Sequence, residues 1–242
     1  MSAENLSQMG AAKVQRLEDQ YGQQVIEKCP VSPVEYAFYE RAAEELNSRG
    51  IKTPTLLSAD PHSRRLRLEY IPGKVSQDEV SGDDILKCLS HLHCTPPDPT
   101  WVYHPHSWSE KALEKSLALL KLPDRAAHQM RCFQRAGSVL FRQKCLISGD
   151  TNAGNWGRRE NGERVLLIKG MGSRQSILQL AERYSVHYLH MPARQLATEI
   201  TLAKAWIASE VVSLLYDRNK TDFELYLNWY RETLPGWLDE AT

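Results

Sequence analysis

The chain has 242 residues and a mass of 27.6 kDa, enough to bury a sizeable core as one large domain or as two small lobes packed across a cleft. Thirty basic residues balance thirty acidic ones, which excludes the strongly basic footprint of a dedicated nucleic-acid binder. No apolar run approaches the roughly 20 residues needed to span a bilayer, and the first residues lack the charged-then-apolar pattern of a signal peptide. Five scattered cysteines without a C-x-x-C pair (Cys29, Cys88, Cys94, Cys132, Cys145) fit reduced thiols and give little support to zinc. These features point to a cytoplasmic protein with neither nucleic acid nor membrane as a partner.

In chain order, residues 13–18 alternate apolar and polar side chains, residues 19–22 suit a turn and residues 23–28 make a second strand, which together predict a hairpin. Ser32, Pro33 and Glu35 fit an N-cap, a proline at the first helical position and a capping-box acid. A helix is therefore expected to about Arg49, with Gly50 stopping it. Residues 56–71 pattern as a second hairpin, broken by Pro72 and Gly73. From Asp78 onward the chain reads as mainly helical, with helices expected over 83–93, 109–121, 123–144, 173–190, 195–218 and 222–234 and a loop at 95–99. This is an α+β pattern: a small antiparallel β-rich lobe with one helix over 1–72, then a larger, mostly helical lobe over 73–242.

Within the second lobe, the apolar run Cys145-Leu-Ile leads into Ser148-Gly149-Asp150. Asn155 follows five residues later, Gly154-Asn-Trp156 closes the loop, and Asn161-Gly162 is a hairpin turn into 165–168. In this order the landmarks resemble the aminoglycoside phosphotransferase and choline kinase group, which shares the two-lobed protein-kinase-like fold. The resemblance runs from about Gly10 to Tyr184, with 146–168 as the catalytic-loop-like segment. It implies that Asp150 is the catalytic group accepting the proton of a substrate hydroxyl, and that Asn155 binds cofactor and metal beside the nucleotide phosphates. ATP and magnesium are cofactors by this resemblance alone, and the implied ligand is a nucleotide or small molecule in an interlobe cleft.

Lys28 stands where the family keeps the lysine that grips phosphates. At 100° per residue Glu35 falls in line with Phe38, Ala42 and Leu46, the core-facing stripe, whereas Glu40 points away with Glu44. An acid on that face needs a cation, and Lys28 is the obvious one; the alternative is that Glu35 only completes the helix cap. Leu68-Glu-Tyr-Ile-Pro-Gly73 resembles the family's hinge, whose backbone meets adenine, so Glu69 and Ile71 join Lys28, Glu35 and Asn155 as cofactor-binding residues. As a plain sequence, that stretch is a strand ended by Pro-Gly. His93, at the end of a helix like the family's Leu-His helix, is expected to be structural, and His91, His93, His104 and His106 lack compact metal-ligand spacing.

The pattern also departs from the family. Ser148 replaces the usual His before Gly-Asp. The family then reads Ile-Asp-Trp-Glu, whose Asp is the main magnesium ligand, but here the chain reads Leu167-Ile-Lys-Gly-Met-Gly-Ser-Arg174, and no acid occurs between Glu163 and Glu182. Either Lys169 replaces the ligand or a segment carrying it has been deleted. Both remove much of the charge neutralisation that phosphoryl transfer relies on. Residues 7–13, with Gly10 alone, make a thin phosphate cover and equally suit an ordinary chain end. Arg64, Arg65, Arg67, Arg158 and Arg159 read as solvated surface, with an anion or nucleic-acid role the alternative. The aromatic stretch 223–237 reads as core packing, with a protein-partner surface the alternative.

Two functions follow, and the first is preferred. One is a pseudokinase, a binding or regulatory module that has lost efficient catalysis. The other is an active phosphotransferase acting on an amino-alcohol, sugar or aminoglycoside-like hydroxyl, with Asp150 as base. An unrelated α+β protein with a chance motif is the third alternative.

Overall fold

Alternation in Lys13–Glu18 (β2) and Gln24–Cys29 (β3) sets the register of an antiparallel hairpin, with Val14 opposite Lys28 and Leu17 opposite Val25. This is a computed structural model of the chain, and it describes residues 4–6, 12–76, 78–102, 106–142, 145–146, 156–160, 164–166, 174–219 and 223–241. Asp150, Asn155, Lys169, the Asn161-Gly162 turn and most of the 7–13 stretch lie outside the described residues.

Glu4–Asn5 (β1) adds to β2. Leu56–Asp60 (β4) and Arg65–Glu69 (β5) form the second expected hairpin, and the five strands run β1-β2-β3-β5-β4. One face of this sheet is apolar: Val31, Leu66 and Leu68 are buried, and Ile26, Tyr36, Tyr39 and Leu56 pack on them. The tyrosines come from the helical segment Pro33–Ala37 (α1), Phe38–Ala42 and Ala43–Ser48 (α2). Ser32 caps it by accepting from the Glu35 amide at 3.1 Å, and Gly50, at φ +88, takes the left-handed conformation that ends it.

The helix is not the uniform one expected. Residues 38–42 form a π-turn, which adds a residue to one turn and rotates the later part against the earlier. Ala42 and Leu46 lie together in the core with Phe38 packed against them, and Ala43 is buried as well. A second sheet, β6-β7-β8, joins Gly73–Lys74 (β6) to Trp156–Arg158 (β7) and Arg164–Leu166 (β8). Asp83–Cys94 (α3) is the helix expected there, and Leu92 adds to the core cluster of Leu46 and Ile51.

The chain divides into two compact units, Met1–His104 with Cys145–Gly170, and Pro105–Lys144 with Met171–Thr242. Residue 72, the expected lobe boundary, lies inside the first, at the passage from one sheet to the other. The second unit is helical: Glu110–Leu120 (α4), Asp124–Ala136 (α5), Arg174–Ser185 (α6), Ala193–Asp217 (α7) and Phe223–Ala241 (α8).

Three helix ends differ from expectation. Helix α5 does not run to 144 but passes at Gly137 into a 3-10 turn over Gly137–Phe141, glycine being a poor helix former. Helix α6 stops at Ser185, and the chain turns so that the rings of Tyr184 and Tyr188 stack at 5.4 Å. Helix α8 runs through Pro235, because Leu227, Tyr230, Leu234 and Leu238 form one buried stripe that continues past the proline. The aromatic tail is thus core on one face, while Leu225 and Trp229 remain exposed.

Lys204 in α7 is buried, and among the described residues no hydrogen bond or ion pair meets its ammonium; burial pushes its pKa down to about 8. Between that value and the ordinary lysine value the unfolded chain holds a proton that the folded chain does not, so stability rises with pH across this window. Lys204→Met is expected to abolish the rise and to stabilise the fold at neutral pH by on the order of 1–3 kcal/mol, read from urea unfolding at several pH values.

Candidate functional site

Lys28 is one residue from the end of β3, and it faces the same side of the sheet as Ile26, the side on which α1 packs. That placement brings its ammonium to Glu35 in the first helical turn, and the two form an ion pair with side chains only 26% and 30% exposed. The cap is made by Ser32, and the Glu35 carboxylate turns to the lysine. Tyr39, one helical turn on, has its hydroxyl pKa raised by burial and then by the Glu35 charge, so it stays neutral beside the pair. Glu40 lies on the exposed side, against Arg41.

Glu69 ends β5 opposite Val25 of β3, on the strand neighbouring that of Lys28. Its amide donates to the Thr55 carbonyl at 2.9 Å, and its carboxylate accepts from the Thr55 amide and hydroxyl, both at 3.0 Å. Arg159 donates to the same carboxylate through Nε and Nη2, both at 2.6 Å. The guanidinium, followed by the Thr55 contacts, holds the Glu69 carboxyl below the usual range. Tyr70 accepts from Arg16 Nη1 at 3.0 Å. Ile71 lies against Gly157, so near that a Cβ on the glycine would stand 2.5 Å from Ile71 Cγ2.

Lys28 and Glu35 are therefore brought together, and Glu69 and Ile71 lie on and just after the neighbouring strand. Asp150 and Asn155 are outside the described residues. Among the described residues no three His, Cys, Asp or Glu side chains gather as a metal site, and no helix is long and apolar enough to cross a membrane. Burial takes His93 down to about 4, leaving it neutral near pH 7.

Arg64, Arg65 and Arg67 are exposed as expected, whereas Arg158 and Arg159 are partly buried and engaged. Arg67 meets Glu27 across the sheet at 3.1 Å, Arg158 pairs with Glu79, and Arg159 holds Glu69. Only the cross-strand pair could have been found from the sequence, through the strand register; the other two join segments far apart in the chain.

No protein-family model matches the chain, and no curated protein sequence matches it. Solved structures do. Choline kinase LicA from Streptococcus pneumoniae superposes with a TM-score of 0.65 at 14% identity, over 98% of this chain and 94% of that one. The chain has the protein-kinase-like fold of choline kinases. LicA in complex with AMP gives 0.63 at 14% identity, over 100% and 92% of the two chains. A choline/ethanolamine kinase family protein from Mesorhizobium loti gives 0.62 at 15%, over 99% and 88%. The gentamicin complex of APH(2")-IIa gives 0.59 at 14%, over 96% and 91%. At such identities the likeness is one of fold. The kinase-like fold accounts for the small antiparallel sheet, its helix and the helical part.

If the Lys28–Glu35 pair steadies the sheet against its helix, Glu35→Gln and Lys28→Met should each destabilise by about 0.5–1.5 kcal/mol. The double variant should lose less than the sum; a double-mutant cycle from urea unfolding measures the coupling.

Proposed function

We propose that this chain is a pseudokinase: a kinase-fold module that holds a nucleotide but does not carry out efficient phosphoryl transfer, and that works by binding or regulation in the cytoplasm. The observation that carries this reading is an intact Lys28–Glu35 pair in a chain that has no carboxylate between Glu163 and Glu182. An ammonium fixed by a carboxylate is suited to nucleotide phosphate. A magnesium site needs carboxylates as well, and the segment after β8 supplies none. The Lys28–Glu35 pair fits a nucleotide phosphate, and residues 164–181 hold no carboxylate for a chelated magnesium ion. In this reading residues 1–72 form the nucleotide-binding lobe, with Glu69 and Ile71 on its hinge. Residues 73–242 form the helical lobe, and the exposed Leu225 and Trp229 offer a surface for a protein partner. LicA, which shares the fold, is described in complex with AMP.

The spacing of Asp150 and Asn155 favours a second reading, an ATP-dependent phosphotransferase in which Asp150 takes the proton of the acceptor hydroxyl. That reading requires a metal-binding carboxylate from another segment.

A thermal-shift titration with ATP, with and without Mg²⁺, separates the two. The pseudokinase reading predicts stabilisation that is indifferent to the metal and lost in Lys28→Ala. Stabilisation that requires Mg²⁺, with ATP turnover abolished by Asp150→Asn, establishes the enzyme instead. No shift under either condition overturns nucleotide binding altogether.

A further inference from the structure

Two arginines adjacent in sequence fasten β7 to the segment that leaves the five-stranded sheet. Arg159 forks onto Glu69, with both bonds at 2.6 Å, and its Nη2 also donates to the Thr53 carbonyl at 3.2 Å. Thr53 is itself buried and anchored to the end of α2: its amide donates to Asn47 Oδ1 at 3.0 Å and its hydroxyl accepts from Asn47 Nδ2 at 2.7 Å. Arg158 pairs with Glu79, whose carboxylate also accepts from the Ser76 amide at 2.8 Å. Between these two pairs, Gly73 faces Arg158 and Lys74 faces Gly157 in the β6–β7 ladder. The backbones approach so closely that a Cβ on Gly73 would stand 2.5 Å from the Arg158 carbonyl oxygen. This segment is thus gripped at Glu69 and at Glu79 by guanidinium–carboxylate pairs, and between them by strand contact that leaves no room for a Cβ at Gly73.

We infer that Arg159, assisted by Arg158, is a positioning residue: it clamps the 69–79 segment in the conformation that the nucleotide site requires and sets nucleotide affinity without touching the nucleotide. The inference rests on the nucleotide-binding reading above. A planar guanidinium suits the task because it meets a carboxylate with two parallel bonds and keeps a further donor for Thr53; a lysine ammonium has no such fork. The Arg159 guanidinium holds the Glu69 carboxyl below the usual carboxylate range, so the pair stays charged near neutrality.

The test uses the full chain with Arg159→Ala, Arg159→Lys, Glu69→Ala and the double alanine variant. ATP affinity is measured by calorimetry, and amide hydrogen exchange of residues 68–79 is measured without nucleotide. Arg159→Ala is expected to weaken ATP about tenfold and to speed exchange in that segment while the helices of the second unit stay protected. Arg159→Lys should recover only part of the loss, and the double variant should bind ATP no more weakly than the single ones. Unchanged exchange at 68–79 in Arg159→Ala overturns the clamp. Faster exchange with unchanged ATP affinity overturns its positioning role. If the unaltered chain binds no ATP, the nucleotide reading falls and the affinity claim falls with it, while the exchange data still decide whether the clamp exists.

Discussion

Glu69 leaves the five-stranded sheet with its carboxylate already committed, and the guanidinium that holds it comes from Arg159, 90 positions later in the chain. Both side chains are largely withdrawn from water, at 26% and 19% exposure. Neither charge would tolerate that position alone, since a half-buried ion without a partner loses hydration and gains nothing in return. Because each needs the other, the exit of β5, the turn before β4 and the end of β7 are placed by one interaction. The five-stranded and three-stranded sheets of the first unit share a joint that is polar and directional, where an apolar contact could slide.

On the neighbouring strand, Lys28 and Glu35 apply the same logic at shorter range. A lysine near a strand end and an acid in the first turn of the next helix meet because Ser32 and Pro33 start that helix at one defined place. The pair fixes the position of the Lys28 ammonium, which in the proposed reading meets a nucleotide phosphate. What the chain does not offer, in the segment after β8, is the carboxylate that would bring a divalent cation to the same phosphates. In the proposed reading, an ammonium held for phosphate without metal carboxylates after β8 is the chemical basis for a binding module, and kinase-like folds at 14–15% identity neither require nor exclude catalysis.

Much of the architecture was legible before any coordinate. Period-two alternation located β2, β3, β4 and β5; the Ser32-Pro33 start and the Gly50 stop framed the first helix; and periodic apolar positions located α3 to α8. The errors lie where tertiary packing overrides a local rule. The π-turn at 38–42 has no signature in the sequence, and helix α8 ignores Pro235 because the buried stripe of Leu234 and Leu238 outweighs one missing hydrogen bond. In the site, the pairing of Lys28 with Glu35 was one of two open alternatives, since a capping acid and a paired acid occupy the same position in a helix. The sheet chose between them by turning Lys28 toward the helix.

By itself, the sequence located β2 to β5 and the helices to within their ends, and it determined which functional side chains exist, including the absence of an acid between Glu163 and Glu182. These are local properties, set by side-chain periodicity, capping chemistry and residue identity. Only the tertiary structure decided which charges far apart in the chain meet. Arg158 and Arg159 are indistinguishable from solvated surface when read along the chain, and they become a clamp only because β7 pairs with β6 and carries them to Glu79 and Glu69. Ion pairing depends on distance in space and on shared loss of water, and neither is written in the spacing of residues along a chain.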